Sequence, residues 1–411
     1  MKRLCFALLL TVVLTAGLTA IPPITTLAAT EVTFLSIEAE ASFPQSITFR
    51  LEAEAETDIV DIDLQYAVSS TTLVPTTCKA DVDFVQDEIV SASWTWNMLE
   101  TGGLPPGTTV EYTWLVKDDN GHVSHSPAGS VWYHDLRYDW DVITEGNVNI
   151  YWYDGDTEFA QGLMDTAHDA LGRLAEDVGV TLEQPATFYI YANSIDLQGA
   201  LVYPQEWTGG VAFTDFGIIA IGISPGQTEW SERAISHELG HLVVHQAVSG
   251  PFGELPTWLD EGLAQDAEGE LRSDLSAWLD AGIAADSLFS ARSLCSSFPS
   301  DSGEAKLCYG QSYSLVQFLL DSYGRDKVLD LLNAFKAGST YDDALLQVYG
   351  FDLDGLNSQW RESVGLPAEA PPKTGNQGSS MPPLYIALIA VVSALGVVFV
   401  VLLIRLLRRS L

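Results

Sequence analysis

Two histidines four residues apart, with a carboxylate beside the first, stand in His237-Glu238-Leu239-Gly240-His241. On an α-helix, positions i and i+4 lie about 40° apart around the axis and roughly one turn apart along it. Both imidazoles can therefore reach one Zn²⁺ at about 2.0–2.1 Å while Glu238 projects beside the ion's open face. That arrangement suits hydrolysis: the metal acidifies a water and the carboxylate accepts its proton as the water attacks a carbonyl. Catalytic zinc normally takes three protein ligands, and Glu261, in Trp258-Leu259-Asp260-Glu261-Gly262-Leu263-Ala264, is the candidate third. Histidine is scarce, 7 in 411 residues, so a chance match to this motif is expected in only about one such chain in a hundred. His245 adds a further i+4 step, but three successive histidines span about 12 Å of helix, too far for one ion. It is read as a supporting or packing residue.

The elements that must position these groups follow from periodicity. Ala234, Ile235, Leu239, Leu242, Val243 and Val244 give the motif a helical apolar frame over about 229–248, and 256–268 is again helical. Upstream, a strand pair surrounds Val148–Tyr153. A helix is expected near 157–178, with Phe159, Leu163, Ala167, Leu171 and Leu174 at helical spacing. Strands follow at Ala186–Tyr191 and Val211–Ile223. Downstream, short amphipathic helices are predicted at Tyr309–Ser322, Arg325–Phe335, Tyr341–Val348 and Leu353–Glu362. Sheet first and helices afterwards predicts an α+β domain over 136–365. Residues 30–135 differ in character. Alternation in Ser46–Leu51, Ile59–Leu64 and Val110–Val116, punctuated by Gly102-Gly103, Pro105-Pro106-Gly107 and Asp118-Asp119-Asn120-Gly121, predicts about seven short strands. That count suits an immunoglobulin- or fibronectin-like sandwich, serving as a spacer or as a binding module.

The two ends carry targeting signals. Lys2 and Arg3, the apolar stretch Leu4–Ile21 and small residues around Leu27-Ala28-Ala29 read as a signal peptide over 1–29. Residues 366–383 form a Pro/Gly/Ser linker. Leu384–Ile404 is an uncharged apolar run of spanning length, and Arg405, Arg408 and Arg409 in the 405–411 tail are expected to stay cytoplasmic. These features predict a type I single-pass membrane protein with its bulk extracellular. Pro371-Pro372-Lys373-Thr374-Gly375 faintly matches a wall-sorting signal but lacks the required Leu, and a linker explains it better. Of 19 basic residues five lie in the two ends, leaving 14 against 55 acidic ones. Such a surface disfavours nucleic acid and anionic lipid as partners. Cys295 and Cys308 flank a polar stretch in a chain expected to meet an oxidising space, which predicts a disulfide between them and leaves Cys78 without a partner.

With HELGH, then WLDEGLAQ, then Tyr309-Gly310-Gln311-Ser312-Tyr313 ahead of a helix, the chain resembles a gluzincin (thermolysin-like) metallopeptidase of the peptidase MA-like group. More distantly it resembles the aminopeptidase N branch. The resemblance covers roughly 140–365. It implies Zn²⁺ held by His237, His241 and Glu261, and Glu238 as general base. It also implies a tyrosine donating to the oxyanion, Tyr309 or alternatively Tyr313, as a phenol aimed at the tetrahedral oxygen would. Nineteen residues separate His241 from Glu261 here, against eighteen in that branch, and Asp260 stands where the branch has Asn. The acidic residue with which aminopeptidases hold a free amine is missing from Gly209-Gly210-Val211-Ala212-Phe213. An endopeptidase acting on peptide or protein substrates is therefore favoured over an aminopeptidase. The competing reading is a surface binding or adhesion protein built on an inactive metallopeptidase fold.

Overall fold

A computed structural model describes residues 32–70, 77–203, 209–250 and 253–368. The signal peptide, the apolar run at 384–404, the tail and all but the first residues of the linker lie outside the described residues. Among the described residues no helix is long and apolar enough to cross a membrane. The chain divides into two compact units. One is built on residues before 139 with 199–205, the other on 139–198 and the residues from 206 onward.

The first unit is all-β apart from one helical turn. Strands β1 (Thr33–Ser42), β2 (Ser46–Glu54) and β5 (Ile89–Asn97) form one antiparallel sheet. A second sheet holds β3 (Ile59–Val68), β4 (Thr77–Asp81), β6 (Thr108–Asp118), β7 (Val123–His125) and β8 (Gly129–Tyr133), in the order β4-β3-β6-β7 with β8 also paired to β6. The turn, α1 (Met98–Thr101), is capped by the Asn97 side chain. Alternate residues point inward, as the two-residue period of a strand requires. On β2 these are Ile47, Phe49, Leu51 and Ala53, all buried. The sheets meet through aromatic rings: Phe49 lies edge-on to Tyr112 at 5.1 Å, and Tyr66 lies 5.3 Å from Trp94.

The second unit begins with β9 (Asp141–Glu145) and β10 (Val148–Trp152), then α2 (Thr157–Arg173), whose first turn is capped by Asp156. β11 (Ala186–Tyr191), α3 (Ser194–Gln198), β12 (Gly210–Phe213) and β13 (Ile218–Gly222) complete a mixed sheet of order β12-β13-β11-β10-β9. β10, β11 and β13 run parallel, while the edge strands β9 and β12 run antiparallel to their neighbours. The stretch expected to be one strand over 211–223 is instead a tight hairpin. Its chain reverses through a 3-10 turn at Thr214–Phe216, and Gly217 takes the left-handed φ of 67° that a Cβ disfavours. Helices fill the rest: α4 (Thr228–Val248), α5 (Thr257–Glu268), α6 (Ser273–Ala285), α7 (Ser302–Tyr323), α8 (Arg325–Lys336), α9 (Tyr341–Tyr349) and α10 (Leu353–Ser363). Taken whole, the described chain is α+β, sheets first and helices after.

Two further expectations are corrected. Cys295, Cys308 and Cys78 are all free thiols. The supposed polar loop before Cys308 is really the start of α7, where Asp301 caps the backbone N–H groups of Gly303 and Glu304. Cys308 is thereby turned into the core, while the Cys295 thiol donates to Ala291 O from a 3-10 turn. Burial pushes Cys295 up to about 11 and Cys308 up to about 12, so both stay protonated. The second correction is α6, which falls in a stretch with no predicted element.

Helices α4, α5 and α7 pack with almost nothing between them. A Cβ on Gly240 would stand 2.9 Å from Ala264 Cα, and one on Gly262 would stand 2.6 Å from Ser312 O. Glycine is required at both positions by close approach rather than by backbone conformation. Asp266, on α5, is a different kind of exception: it is buried and its Oδ2 has no hydrogen-bond partner, although Oδ1 accepts from Gln317. Burial, followed by the charge of Asp177, pushes its pKa up to about 6.

Two outcomes follow for urea-unfolding measurements. Gly240→Ala should lower stability by about 1–3 kcal/mol through overpacking, despite alanine's better helix propensity. Gly162→Ala, on an exposed face of α2 with nothing within 4 Å, should raise it by about 0.5–1 kcal/mol. For Asp266 the folded pKa exceeds the unfolded value, so its proton stabilises the fold below about pH 4. That contribution is lost as pH rises through about 6. Asp266→Asn should thus stabilise at pH 7 by about 1–3 kcal/mol and do little at pH 4.

Candidate metal centre and cleft

Helix α4 buries Ile235, Leu239, Leu242 and Val243 completely. The opposite side of its middle turns carries His237, Glu238 and His241, and His237 and Glu238 line a cleft of about 1220 Å³ together with Glu261 and Tyr309. α5 starts after Pro256, whose φ of −69° suits a helix boundary. It crosses α4 at the Gly240–Ala264 contact, which sets Glu261 against the histidine pair.

The three candidate ligands converge. His237 Nε2 and His241 Nε2 are 3.2 Å apart, and each is 3.5 Å from Glu261 Oε2. Three donors bound at 2.0–2.1 Å to one tetrahedral ion stand about 3.3–3.4 Å apart, so the triangle already has the size of a coordination face. Among the described residues this is the cluster able to hold a metal ion. The orientation of the rings supports the same fit. His237 Nδ1 lies 2.9 Å from Glu268 Oε1 and His241 Nδ1 lies 2.9 Å from Asp260 Oδ1. A carboxylate at Nδ1 keeps the proton there and leaves the Nε2 lone pair facing inward. Glu261 Oε2 is buried without a hydrogen bond. With both imidazoles neutral, three electron-rich atoms would face one another, a repulsive arrangement that either protons on the rings or a divalent cation would relieve.

The electrostatics agree. Burial alone would push His237 down, but the Glu261 and Glu268 carboxylates prevail and raise it to about 9. His241 is also held well above the usual imidazole range; burial opposes this, and Asp260 and Glu261 outweigh it. Burial would raise Glu261, yet the two imidazoles hold it down at about 2. Asp260 is likewise held low, against its burial, by His241 and His245. A field that draws protons onto two histidines draws a metal cation by the same attraction.

Glu238 lies under the edge strand β12. A Cβ on Gly210 would meet its Oε1 at 2.8 Å, so the glycine leaves room for the carboxylate, and the Ala212 N–H hydrogen-bonds it. Burial raises the Glu238 pKa, with the nearby histidines acting in the other direction. Tyr309 lines the same cleft and packs edge-on against Phe298, ring centroids 5.2 Å apart. Its phenol is pushed up by burial and then by the charges of Glu261 and Glu238, so it remains a proton donor. Tyr313, one turn on, is not among the residues lining the cleft; it is pushed up by burial and then by the charges of Asp266, Glu270, Asp321 and Asp177, not by those of Glu261 and Glu238. His245 does not join the triad, and its Nε2 lies 3.2 Å from Asp260 Oδ2.

Sequence reasoning missed Glu268 as the partner of His237 and gave Asp260 no role. The signal for Asp260 was present, since it adjoins Glu261 in WLDEG. Glu268, seven residues past Glu261, lies two helical turns farther on the same face and could have been found by that spacing. Arg233 and Arg272 at the rim were also missed, because nothing in the motif points to them.

Comparisons with known proteins place this site in a family. Residues 166–365, which include all five candidate residues, match the family model described as the Peptidase MA superfamily. That region is a peptidase-type domain of the Peptidase MA superfamily. Among curated proteins none matches. Solved structures with detectable similarity include the Br derivative of BhCBM56, at 11% identity and TM-score 0.18, covering 25% of this chain and 91% of that one. Another is a catalytically inactive OgpA from Akkermansia muciniphila in complex with an O-glycopeptide substrate, at 10% identity and TM-score 0.20, covering 25% of this chain and 29% of that one. Both likenesses are too slight to bear on function.

If the carboxylates behind the imidazoles orient them, Asp260→Asn and Glu268→Gln should each weaken divalent-metal affinity by roughly 10–100-fold. Competition against a chromogenic chelator measures this. Affinity unchanged in both variants would show that the rings are held by packing alone.

Proposed function

We propose that the chain is a zinc-dependent peptidase that hydrolyses internal bonds of peptide or protein substrates. The observation that carries this reading is the set of three inward-facing donors with Glu238 beside them at the floor of an open cleft. His237, His241 and Glu261 would hold the ion. When bound, it supplies Lewis acidity and lowers the pKa of a water. Glu238, raised by burial and tethered by the Ala212 N–H, takes the proton from the attacking water. It then delivers that proton to the leaving amine. Tyr309 donates a hydrogen bond to the oxygen on which negative charge develops. The lack of an acidic side chain in Gly209–Phe213 leaves no group there to hold a substrate's free amine, which favours internal cleavage over aminopeptidase action.

A membrane-anchored location, with the peptidase domain outside the cell, completes the proposal. It rests on the signal-like 1–29, the apolar 384–404 and the arginines that follow. The binding-protein alternative gains no support, since the base and all three ligand positions are intact.

Purified full-length protein should bind about one zinc per chain and lose peptide cleavage to a chelator. Glu238→Gln should keep the metal and lose at least about a thousandfold in kcat. Metal content by elemental analysis and turnover of a peptide library test this together. Wild-type turnover in the Glu238→Gln variant would remove Glu238 from the mechanism. Tyr309→Phe should lower kcat by roughly 10²–10³ with little change in KM, whereas Tyr313→Phe should leave both near wild type.

A further inference from the structure

Basic side chains are scarce on this chain, yet three of them line the cleft that holds the triad: Arg233, Arg272 and Lys306. Arg233 is neutralised on the triad's side, with its guanidinium 3.5 Å from Glu268 and 3.8 Å from Glu229. Arg272 and Lys306 are placed differently, sharing a single acid. Arg272 binds both oxygens of Asp274, at 3.0 and 2.9 Å, and Lys306 Nζ lies 3.1 Å from Asp274 Oδ2. Two cations pair with one carboxylate, and Glu268, whose charge also reaches Arg272, is already paired with Arg233 and His237, so positive charge is left over on this wall. The side chains of Arg272, Lys306 and Asp274 remain 40%, 41% and 39% exposed, so the charge is available to a ligand rather than sealed in the core.

The surroundings favour the same occupant. Beside Arg272 and Lys306 the cleft is lined by Ser273, Ser297, Ser300 and Ser302, hydroxyls that can donate to an anion. The remaining acidic lining residues are Glu261, Glu238, Glu268 and Glu229, on α4 and α5. The cleft is thus negative along the α4–α5 wall and positive along the wall made by α6 and the start of α7. Bidentate pairing fixes the Arg272 guanidinium in advance while leaving donors unused, which suits recognition of a second carboxylate.

We propose that Arg272 and Lys306 form a subsite for a carboxylate of the peptide substrate, so that the cleft selects acidic peptides. The carboxylate comes from an Asp or Glu side chain or from the peptide's own C-terminus. This inference rests on the peptidase reading for its substrate class, but binding tests it separately from turnover.

The test uses full-length, zinc-loaded Glu238→Gln protein and fluorescent synthetic peptides in matched pairs. One pair exchanges Glu for Gln, and the other exchanges a free C-terminus for its amide. In low salt the carboxylate-bearing member of at least one pair should bind on the order of tenfold more tightly, and the advantage should shrink as ionic strength rises. The pair that shows the preference identifies the source of the carboxylate. Lys306→Met should cut the ratio to about threefold or less, and Lys306→Glu should abolish or invert it. Equal dissociation constants within both pairs, or a preference that survives Lys306→Glu, would overturn the subsite. Wild-type protein given the same peptides reports on the reaction itself. Absence of hydrolysis there would count against the peptidase reading while leaving the binding ratios to decide the subsite.

Discussion

The close approach of α4 to α5 at Gly240 and Ala264 is the constraint on which the site rests. Two histidines from one helix can be brought to an ion by helical spacing alone, but a third donor must come from elsewhere and arrive within a few tenths of an ångström. Here the backbones touch with no side chain between them, since even a methyl on Gly240 would collide with the Ala264 backbone. One residue beyond Glu261, Gly262 lets α7 press onto the other side of α5. α5 is therefore held between two helices, with Glu261 facing the histidines of one and Tyr309 carried by the other. The triangle of candidate ligands and the phenol thus belong to a single packed body rather than to independent loops, the condition under which a site holds its geometry.

The charge arrangement depends on that packing. Three inward-facing donors repel one another unless something positive lies between them, and each imidazole is turned inward by a carboxylate at its other nitrogen. Glu268 does this for His237, while Asp260 serves His241 and His245 together. The cost of burying so much negative charge is offset in the folded protein by raised imidazole pKa values or by a bound cation. Glu238 sits at the boundary of this group. Burial strengthens it as a base, and the Ala212 N–H keeps it from collapsing onto the histidines.

How much of this was legible in the sequence depended on whether the information was local. His237, Glu238 and His241 lie within one turn and a half of helix, and Glu261 stands in a recognisable helical context, so the triad could be read directly. The β-rich start and helix-rich end followed from periods of two and of 3.6 residues. Reasoning failed where tertiary contact or a single capping residue decided the outcome. The hairpin at 210–222 reads as one apolar strand unless Gly217 is taken as a left-handed turn. The Cys295–Cys308 stretch reads as a loop unless Asp301 is recognised as the cap of α7. Glu268, Arg233 and Arg272 could not be given roles, because their value lies in what they face across the cleft. The choice between Tyr309 and Tyr313 was left open by sequence. They lie four positions apart on α7, yet Tyr309 is the one that lines the cleft.

The stacked helices also divide the molecule into parts with unequal freedom to change. Between α4, α5 and α7 there is no cushion of side chains, so enlarging a residue at either glycine would shift donor atoms and base together. The rim formed by α6, the residues just before α7 and the first turns of α7 lies outside those contacts and is built from partly exposed serines, Arg272, Lys306 and Asp274. Substitutions there can retune what enters the cleft without disturbing the triangle beneath it. Inheritance of the chemistry is tied to two missing methyl groups, while choice of guest is left to a surface that tolerates variation.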